Sequence, residues 1–226
     1  MGDQVGAKPQ LIVKGRKFDQ VLEGARTVFL RDGYERASVD DIAREAGVSK
    51  ATLYAYFPDK RLLFMEFAFG ECRRQADEAG EMLDFSLPVA DILHLAAEKL
   101  VAFLVSDFGQ RIYRIAVAEA ENFPALAHEF YHSGPKLVQD RIAECLRCAV
   151  DRQELAIDDI DLAAAQFAQL CKADLLDRRL FTASPCCTSK DTAKVIDGAV
   201  HMFMARYGVA ASGTGSPVDG GLTQSR

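Results

Sequence analysis

Apolar residues recur at intervals of three and four positions along most of the chain, which is the spacing of a helix with one buried face. Sustained alternation of apolar and polar residues and Asn-Gly hairpin turns are missing from the sequence. The pattern therefore predicts an all-α chain of about ten helices. The first helix is predicted over residues 16–31, ending before Gly33, with an apolar stripe formed by Phe18, Val21, Leu22, Ala25 and Phe29.

Residues 38–57 predict two short helices joined by a tight turn. Ser38 is a good N-cap for the first, whose apolar positions are Val39, Ile42, Ala43 and Ala46. Residues 47–49 interrupt the pattern, and a second helix follows over 50–57 until Pro58 ends it. This is the order of elements in a helix-turn-helix. Asp59 is then predicted to cap a long fourth helix.

The remaining helices are predicted from prolines, which suit a first helical turn, and from continued periodicity. Starts are expected near Pro88, Gln110, Pro124 and Pro135. A single long helix is predicted over 159–181, and a last one over 189–207 that ends at Gly208. Residues 1–14 and 209–226 lack any apolar pattern and are predicted to be a flexible arm and a disordered tail.

Charge is distributed unevenly in this acidic chain of 226 residues and net charge -6. Residues 1–64 contain eleven Lys and Arg against nine Asp and Glu, whereas the rest of the chain carries sixteen against twenty-four. A mildly basic head on an acidic body is compatible with a head that binds phosphates. No apolar run reaches the ~18 residues of a membrane span, and the first residues show no signal core, so a cytoplasmic location is expected.

The second short helix separates its residues cleanly on a helical wheel. Leu53 and Phe57 define a buried side, while the small residues Ala51, Thr52 and Ala55 face the opposite way. Small outward residues let a helix enter a major groove ~12 Å wide. Tyr54 and Tyr56 flank that outward face, where their hydroxyl groups can reach phosphates on the two groove walls, and Lys50 adds charge in the first turn.

The same segment resembles a known family. Residues 25–64 are similar to the N-terminal domain of the TetR family of transcriptional regulators, and Tyr56 stands where histidine is frequent in that family. The resemblance covers Phe29, Gly33-Tyr34, Ser38-Val39, Ile42-Ala43, residues 46–49, residues 52–54, Tyr56-Phe57, Lys60 and Leu63. It implies phosphate contacts from Thr52, Tyr54, Tyr56 and Lys60, and a phosphate contact or helix cap from Ser38. It also implies base contacts from Lys50, Ala51 and Ala55. Ser49, in the turn, is a further predicted DNA-binding residue.

A second resemblance covers residues 111–135, which are similar to the C-terminal domain of AefR-like regulators within that family. It implies a helical domain that senses a small-molecule effector and forms dimers. Five aromatic residues are candidates either for an effector pocket between helices or for ordinary core packing: Phe103, Phe108, Tyr113, Tyr131 and Phe167. The charged residues Arg111, Arg114, Glu119 and Glu121 either form a polar pocket wall or pair with one another along their helix.

The last two long helices predict a subunit interface. Residues 159–181 are apolar almost all round, and a helix of that kind needs partners on two sides. We expect these two helices and their symmetry mates to form a four-helix bundle in a homodimer, with a buried monomer core as the alternative. The predicted interface residues are Phe167, Leu170, Leu175, Val195, Ile196, Ala199, Val200 and Phe203.

Chemistry beyond binding finds little support in the sequence. Cys145 and Cys148 have zinc-like spacing, but Cys145 continues an apolar stripe and no second pair completes a ligand set. Cys186 and Cys187 form an adjacent pair that is a candidate for redox sensing. No catalytic motif or phosphate-binding glycine loop occurs, so we expect no enzyme activity, no cofactor and no metal.

These patterns together predict a helix-turn-helix domain over 15–64 and a larger helical-bundle domain for ligand binding and dimerisation over 65–208. The expected function is ligand-responsive repression by a homodimer on a palindromic double-stranded DNA operator, with a small-molecule effector and without membrane contact. The alternative is a helical ligand-binding or adaptor protein whose head binds another protein.

Overall fold

The computed structural model describes residues 15–81, 84, 86–182 and 187–209, and these residues form an all-α protein. Within them the backbone pairs as β-structure only at an isolated bridge between Leu155 and Gly208. The predicted arm 1–14 and nearly all of the predicted tail 209–226 lie outside the described residues. The helices are α1 (Arg16–Arg36), α2 (Val39–Glu45), α3 (Lys50–Tyr56), α4 (Lys60–Glu81), α5 (Val89–Val105), α6 (Asp107–Glu119), α7 (Pro124–Tyr131), α8 (Leu137–Asp151), α9 (Ile160–Leu170), α10 (Leu175–Phe181) and α11 (Ser189–Tyr207).

Local side-chain bonds set where α2, α3 and α4 begin, as the sequence predicts for α2 and α4. The Ser38 hydroxyl accepts a hydrogen bond from the Asp41 N–H at 3.0 Å. Ser49 does the same for Thr52 at 3.1 Å. The Asp59 carboxylate accepts the Arg61 N–H at 2.7 Å. Each bond satisfies a backbone donor that the first turn of a helix leaves without an intrahelical partner.

Two glycines shape the helix-turn-helix. Gly47 turns the chain between α2 and α3 with φ of 62°, a conformation that residues with a Cβ adopt rarely. Gly24 lies where α1 crosses the end of α2, and a Cβ at that position would come within 2.7 Å of the backbone nitrogen and the Cβ of Ala46. The crossing therefore depends on the missing side chain at Gly24.

The structure corrects two predicted helices. Residues 159–181 are two helices rather than one, because the chain breaks after Leu170 and Asp174 takes a positive φ of 59°, which Asp tolerates better than most residues. The redirected α10 buries Leu175 in the core. No helix starts at Pro135, which lies inside a π-helical turn, His132–Lys136, that joins α7 to α8. A wider turn accommodates a residue that lacks an N–H and crowds the preceding turn.

Two hydrophobic clusters form the interior. The first contains the apolar faces of α1 to α4 together with Ile112 and Ala116 of α6, so the helix-turn-helix packs directly on the body. The second joins α5, α8, α9, α10 and α11. Helix α4 runs without a break through residue 64, where the sequence analysis places the boundary between head and body.

The structure places most of the predicted interface residues in the interior of one chain. Phe167, Leu175, Ile196, Ala199 and Phe203 are buried inside a single chain, where they pack among themselves and against α5 and α8. Leu170, Val195 and Val200 are half-buried against the same cluster. The large apolar side chains that α9 and α11 leave exposed are Leu162, at 53%, and Met202, at 59%. A helix that is apolar on two sides does not reveal from sequence which side faces its own core.

We expect Gly24→Ala to lower the free energy of unfolding by about 1–3 kcal/mol, because the added methyl group forces α1 and α2 apart. The measurement is urea unfolding at a fixed protein concentration. Gly70→Ala is the matched control, since nothing lies within 4 Å of a Cβ there and alanine favours a helix by up to ~1 kcal/mol. Equal stability of the two variants would contradict the close crossing.

Candidate nucleic-acid interface

Helix α3 exposes Ala51 and Ala55 of the predicted small-residue face, whereas Thr52 of that face is half-buried. Leu53 is 1% exposed and Phe57 is 4% exposed, which confirms the predicted buried side. Lys50, Ala51 and Ala55 are exposed on the other side. Because two of these three side chains are single methyl groups, the backbone of α3 can approach a flat or grooved partner closely.

The two tyrosines of α3 have different surroundings. Tyr54 is 47% exposed and lies free at the rim of the small-residue face. Tyr56 is half-buried, and its ring meets the edge of Phe18 of α1 with a centroid distance of 5.8 Å. Tyr56 thus anchors α3 to α1 as well as reaching toward the surface, a packing role that the sequence analysis did not predict.

The hydroxyl groups next to α3 are already engaged within the head. Ser38 donates to the Asp41 carboxylate at 2.5 Å while capping α2, and this bond with Arg44 nearby lowers the pKa of Asp41. The Ser49 and Thr52 hydroxyls lie 2.9 Å apart. These bonds fix the starts of both helices, so any partner meets a surface that is ordered in advance.

The two predicted lysine contacts also have partners inside the head. Lys50 forms an exposed ion pair with Asp40 of α2. The Lys60 ammonium donates to the carbonyl groups of Tyr34, at 2.8 Å, and Ala37, at 3.0 Å, and lies 4.3 Å from the centre of the Tyr34 ring. Lys60 therefore ties the end of α1 to the start of α4, and one of its three N–H donors is left for a partner.

Buried carboxylates connect the head to the body. Glu119, at the end of α6, is 6% exposed and forms an ion pair with Arg61 in the first turn of α4. Glu71 of α4 is 5% exposed and accepts from Arg74 at 3.1 Å, with Arg26 of α1 at 3.8 Å. The Arg74 guanidinium holds the pKa of the Glu71 carboxyl below its ordinary value.

The sequence left open whether the charged residues of α6 pair with one another along their helix, and their partners in the structure lie on other helices. Arg111 pairs with Glu35 of α1 at 2.5 Å, and Glu119 pairs with Arg61, so neither residue pairs along its own helix. Arg114 donates to carbonyl groups of α10 instead. Sequence periodicity cannot predict such contacts, because they join residues more than fifty positions apart.

The five aromatic residues predicted for an effector pocket do not line one common cavity. Phe103 and Phe108 belong to the first hydrophobic cluster, and Phe167 is fully buried in the second, 5.2 Å from Phe203. Tyr113 packs against Phe130, with centroids 6.3 Å apart, and Tyr131 is 47% exposed. Phe103 and Phe167 thus take part in core packing, whereas Phe108 packs against the first cluster and also lines a cleft beside α1.

The cysteine pairs lie in unlike environments. Cys145 is buried in the second cluster, and burial raises the pKa of its thiol to about 11, whereas Cys148 is exposed. Cys187 is half-buried, and Cys186 lies outside the described residues. Across the described part of the chain, no three His, Cys, Asp or Glu residues gather as metal ligands would. None of the described helices is both long enough and apolar enough to span a membrane.

Two family models match the chain. Residues 21–67 match the model of the bacterial regulatory proteins of the TetR family. Residues 91–209, more than half of the chain, match the model of the C-terminal domain of AefR-like transcriptional repressors. The first match covers α2 and α3 and most of α1, and the second covers the body from α5 to α11.

Similar proteins agree with the models. The flavonoid-responsive regulator FrrA is 32% identical, with a TM-score of 0.65 over 88% of this chain and 100% of its own. A TetR-family regulator from Mesorhizobium loti is 26% identical, with a TM-score of 0.68 over 86% of this chain and 98% of its own. The uncharacterised HTH-type regulator YhgD of Bacillus subtilis is 31% identical over 83 residues, 37% of this chain and 44% of YhgD. The chain thus spans less than half of the curated relatives it first matches. The match over the body and the likeness to FrrA show that the chain belongs to the TetR family of transcriptional regulators, with an AefR-like C-terminal domain.

Proposed function

We propose that the chain represses transcription as a homodimer that binds a palindromic operator and responds to a small molecule. The observation that carries the proposal is the exposed small-residue face of α3 between the rim residue Tyr54 and the half-buried Tyr56. The head is taken as residues 15–64 and the body as residues 65–208. Repression is supported by the match of the body to the AefR-like repressor model.

In this proposal α3 enters the major groove of the operator. Lys50, Ala51 and Ala55 face the base edges, where alanine methyl groups suit contact with thymine methyl groups. The predicted phosphate contacts are Thr52, Tyr54, Tyr56 and Lys60. Ser38 is proposed to contact a phosphate or to cap its helix, and Ser49 is a further proposed DNA contact. DNA must compete with Asp40 for Lys50, because the two side chains form an ion pair. A phosphate can bind Lys60 only through the N–H donor that the Tyr34 and Ala37 carbonyl groups leave unused.

The homodimer is proposed to form through the outer face of α9 and α11. A shallow apolar groove of about 620 Å³ lies between these helices, bordered by Leu162, Leu170 and Met202. Placing the same groove of a second copy against it would cover Leu162 and Met202, which are more than half exposed. For both α3 helices to enter one duplex, their centres must lie about one turn of DNA, ~34–36 Å, or a multiple of it apart. The two-fold symmetry of the dimer is the reason that the operator is expected to be palindromic.

Ligand response is proposed to act through the spacing of the two heads. Helix α4 and the Arg61–Glu119 ion pair connect each head to the body, so a shift in the body moves α3. A ligand changes operator affinity only if it binds the two spacings with different affinity. The likeness to FrrA, a flavonoid-responsive regulator, supports responsiveness to a small molecule.

Ala55→Leu is expected to weaken binding to the operator by about tenfold or more, because the larger side chain holds α3 away from the bases. The measurement is fluorescence anisotropy with a duplex selected from random-sequence DNA by the wild-type protein. Ala102→Leu, at an exposed alanine of α5, is the matched control and leaves affinity unchanged. Unaltered operator preference in Ala55→Leu would show that this face does not meet bases.

Tyr54→Phe is expected to weaken binding to all duplexes by the same factor, about fivefold, because a phosphate contact carries no sequence information. Operator and scrambled DNA are titrated in parallel at one salt concentration. Tyr131→Phe serves as the control, since Tyr131 has the same 47% exposure outside the head. Loss of affinity for the operator alone would contradict the phosphate assignment.

Met202→Glu is expected to raise the dissociation constant of the dimer by at least about tenfold, because it brings two carboxylates into an apolar interface. Sedimentation velocity over a range of protein concentrations measures this constant. The matched control is Val117→Glu on α6, where the native side chain is also 59% exposed. Equal dissociation constants for the two variants would place the interface elsewhere.

A further inference from the structure

A polar cleft separates the end of α1 from the body and takes no part in the proposed DNA contact. Its volume is about 640 Å³, and its walls come from the last turn of α1, the start of α4, α6 and the end of α10. Cavities of this size hold small organic ligands. Because the walls from α1 and α4 belong to the head and those from α6 and α10 belong to the body, a ligand here would touch both.

One side of the cleft is aromatic. Tyr34 lies 4.8 Å from Phe64, and Phe64 lies 6.1 Å from Phe108, measured between ring centroids. All three residues line the cleft. The rings cross at 61° and 77°, and Phe64 is 2% exposed, so Tyr34 and Phe108 supply the ring surface that an aromatic ligand can contact.

The other side of the cleft carries an excess of positive charge. Four arginines face three carboxylates, and two of those arginines are neutralised, Arg111 by Glu35 and Arg179 by Asp107 at 2.8 Å. Arg114 has no carboxylate partner among the described residues. Its Nη2 donates to the carbonyl groups of Arg179, at 2.9 Å, and Leu180, at 2.7 Å. These bonds hold the guanidinium in place while its other edge stays available, which suits binding of a carboxylate.

A buried acceptor in the same wall lacks a partner. Gln110 is 6% exposed, and its Nε2 donates to the Leu104 carbonyl at 2.7 Å. Its Oε1 is buried and accepts from no atom of the described residues. Buried polar atoms without a partner are uncommon and point to a missing ligand group or water. A hydroxyl group in the cleft would supply the donor.

We propose that this cleft binds a planar aromatic carboxylate that also carries a hydroxyl group. The exposed parts of the Tyr34 and Phe108 rings contact its aromatic part, Arg114 binds its carboxylate, and its hydroxyl donates to Gln110. Only the regulatory consequence rests on the proposed function. A ligand that bridges α1 to α6 and α10 favours one position of the head over the other.

The test is binding of 6-hydroxy-2-naphthoate, a fluorescent molecule of this class, to the full-length protein without DNA. Fluorescence anisotropy is expected to show saturable binding of 6-hydroxy-2-naphthoate. Its affinity is expected to exceed that of 2-naphthol, which lacks the carboxylate, and that of 2-naphthoate, which lacks the hydroxyl. Arg114→Gln is expected to weaken binding of the two carboxylates by about tenfold and to leave 2-naphthol unaffected. Gln110→Leu is expected to remove the preference for 6-hydroxy-2-naphthoate over 2-naphthoate.

Arg147→Gln is the control, because Arg147 is an exposed arginine of α8 outside the cleft, and thermal unfolding checks that each variant remains folded. Three results would each overturn the proposal: no detectable binding of 6-hydroxy-2-naphthoate at concentrations up to about 1 mM, equal affinity for 6-hydroxy-2-naphthoate and 2-naphthol, or unchanged affinity in a folded Arg114→Gln variant. Operator affinity is then measured with and without 6-hydroxy-2-naphthoate. Binding without any change in operator affinity would support the site and overturn the proposed ligand response through it.

Discussion

Aromatic packing along the first half of α4 is the constraint on which the arrangement of this molecule depends. Phe64 lies 5.1 Å from Phe29 of α1 and 6.1 Å from Phe108 of α6, and Phe67 contacts the same two rings. One helix thereby buries its side chains in the head and in the body at once. The head cannot rotate against the body without separating these rings, so its position is set by the body that carries it.

Polar contacts at both ends of these packed rings also hold the head against the body. Lys60 ties the carbonyl groups at the end of α1 to the start of α4, and Arg61 pairs with the buried Glu119 of α6. Glu71 connects α4 back to α1 through Arg26. Removing one partner of such a pair leaves a buried charge unmatched, which makes these contacts sensitive points between body and head.

The parts of this structure that the sequence predicts are those governed by neighbours in the chain. Ser38 and Asp59 predict where helices begin, because a capping side chain bonds to backbone groups only a few positions away. The helical periodicity of residues 50–57 likewise predicts that Leu53 is buried and Ala55 is exposed. The break at Asp174 and the π turn at Pro135 give no signal in the apolar pattern of the sequence. The inward direction of Phe167 depends on packing between distant helices. The partners of Lys60, Glu119 and Arg114 escaped prediction for the same reason.

Helix α3 of each subunit is proposed to enter the major groove of one duplex. Methylation interference on the selected operator tests it most directly, since methylation of guanine N7 blocks the major groove alone. We expect interference in two patches on one face of the DNA, with centres about one helical turn, ~34–36 Å, or a multiple of it apart. A single patch, or binding that tolerates methylation at every guanine of a guanine-containing operator, would contradict it.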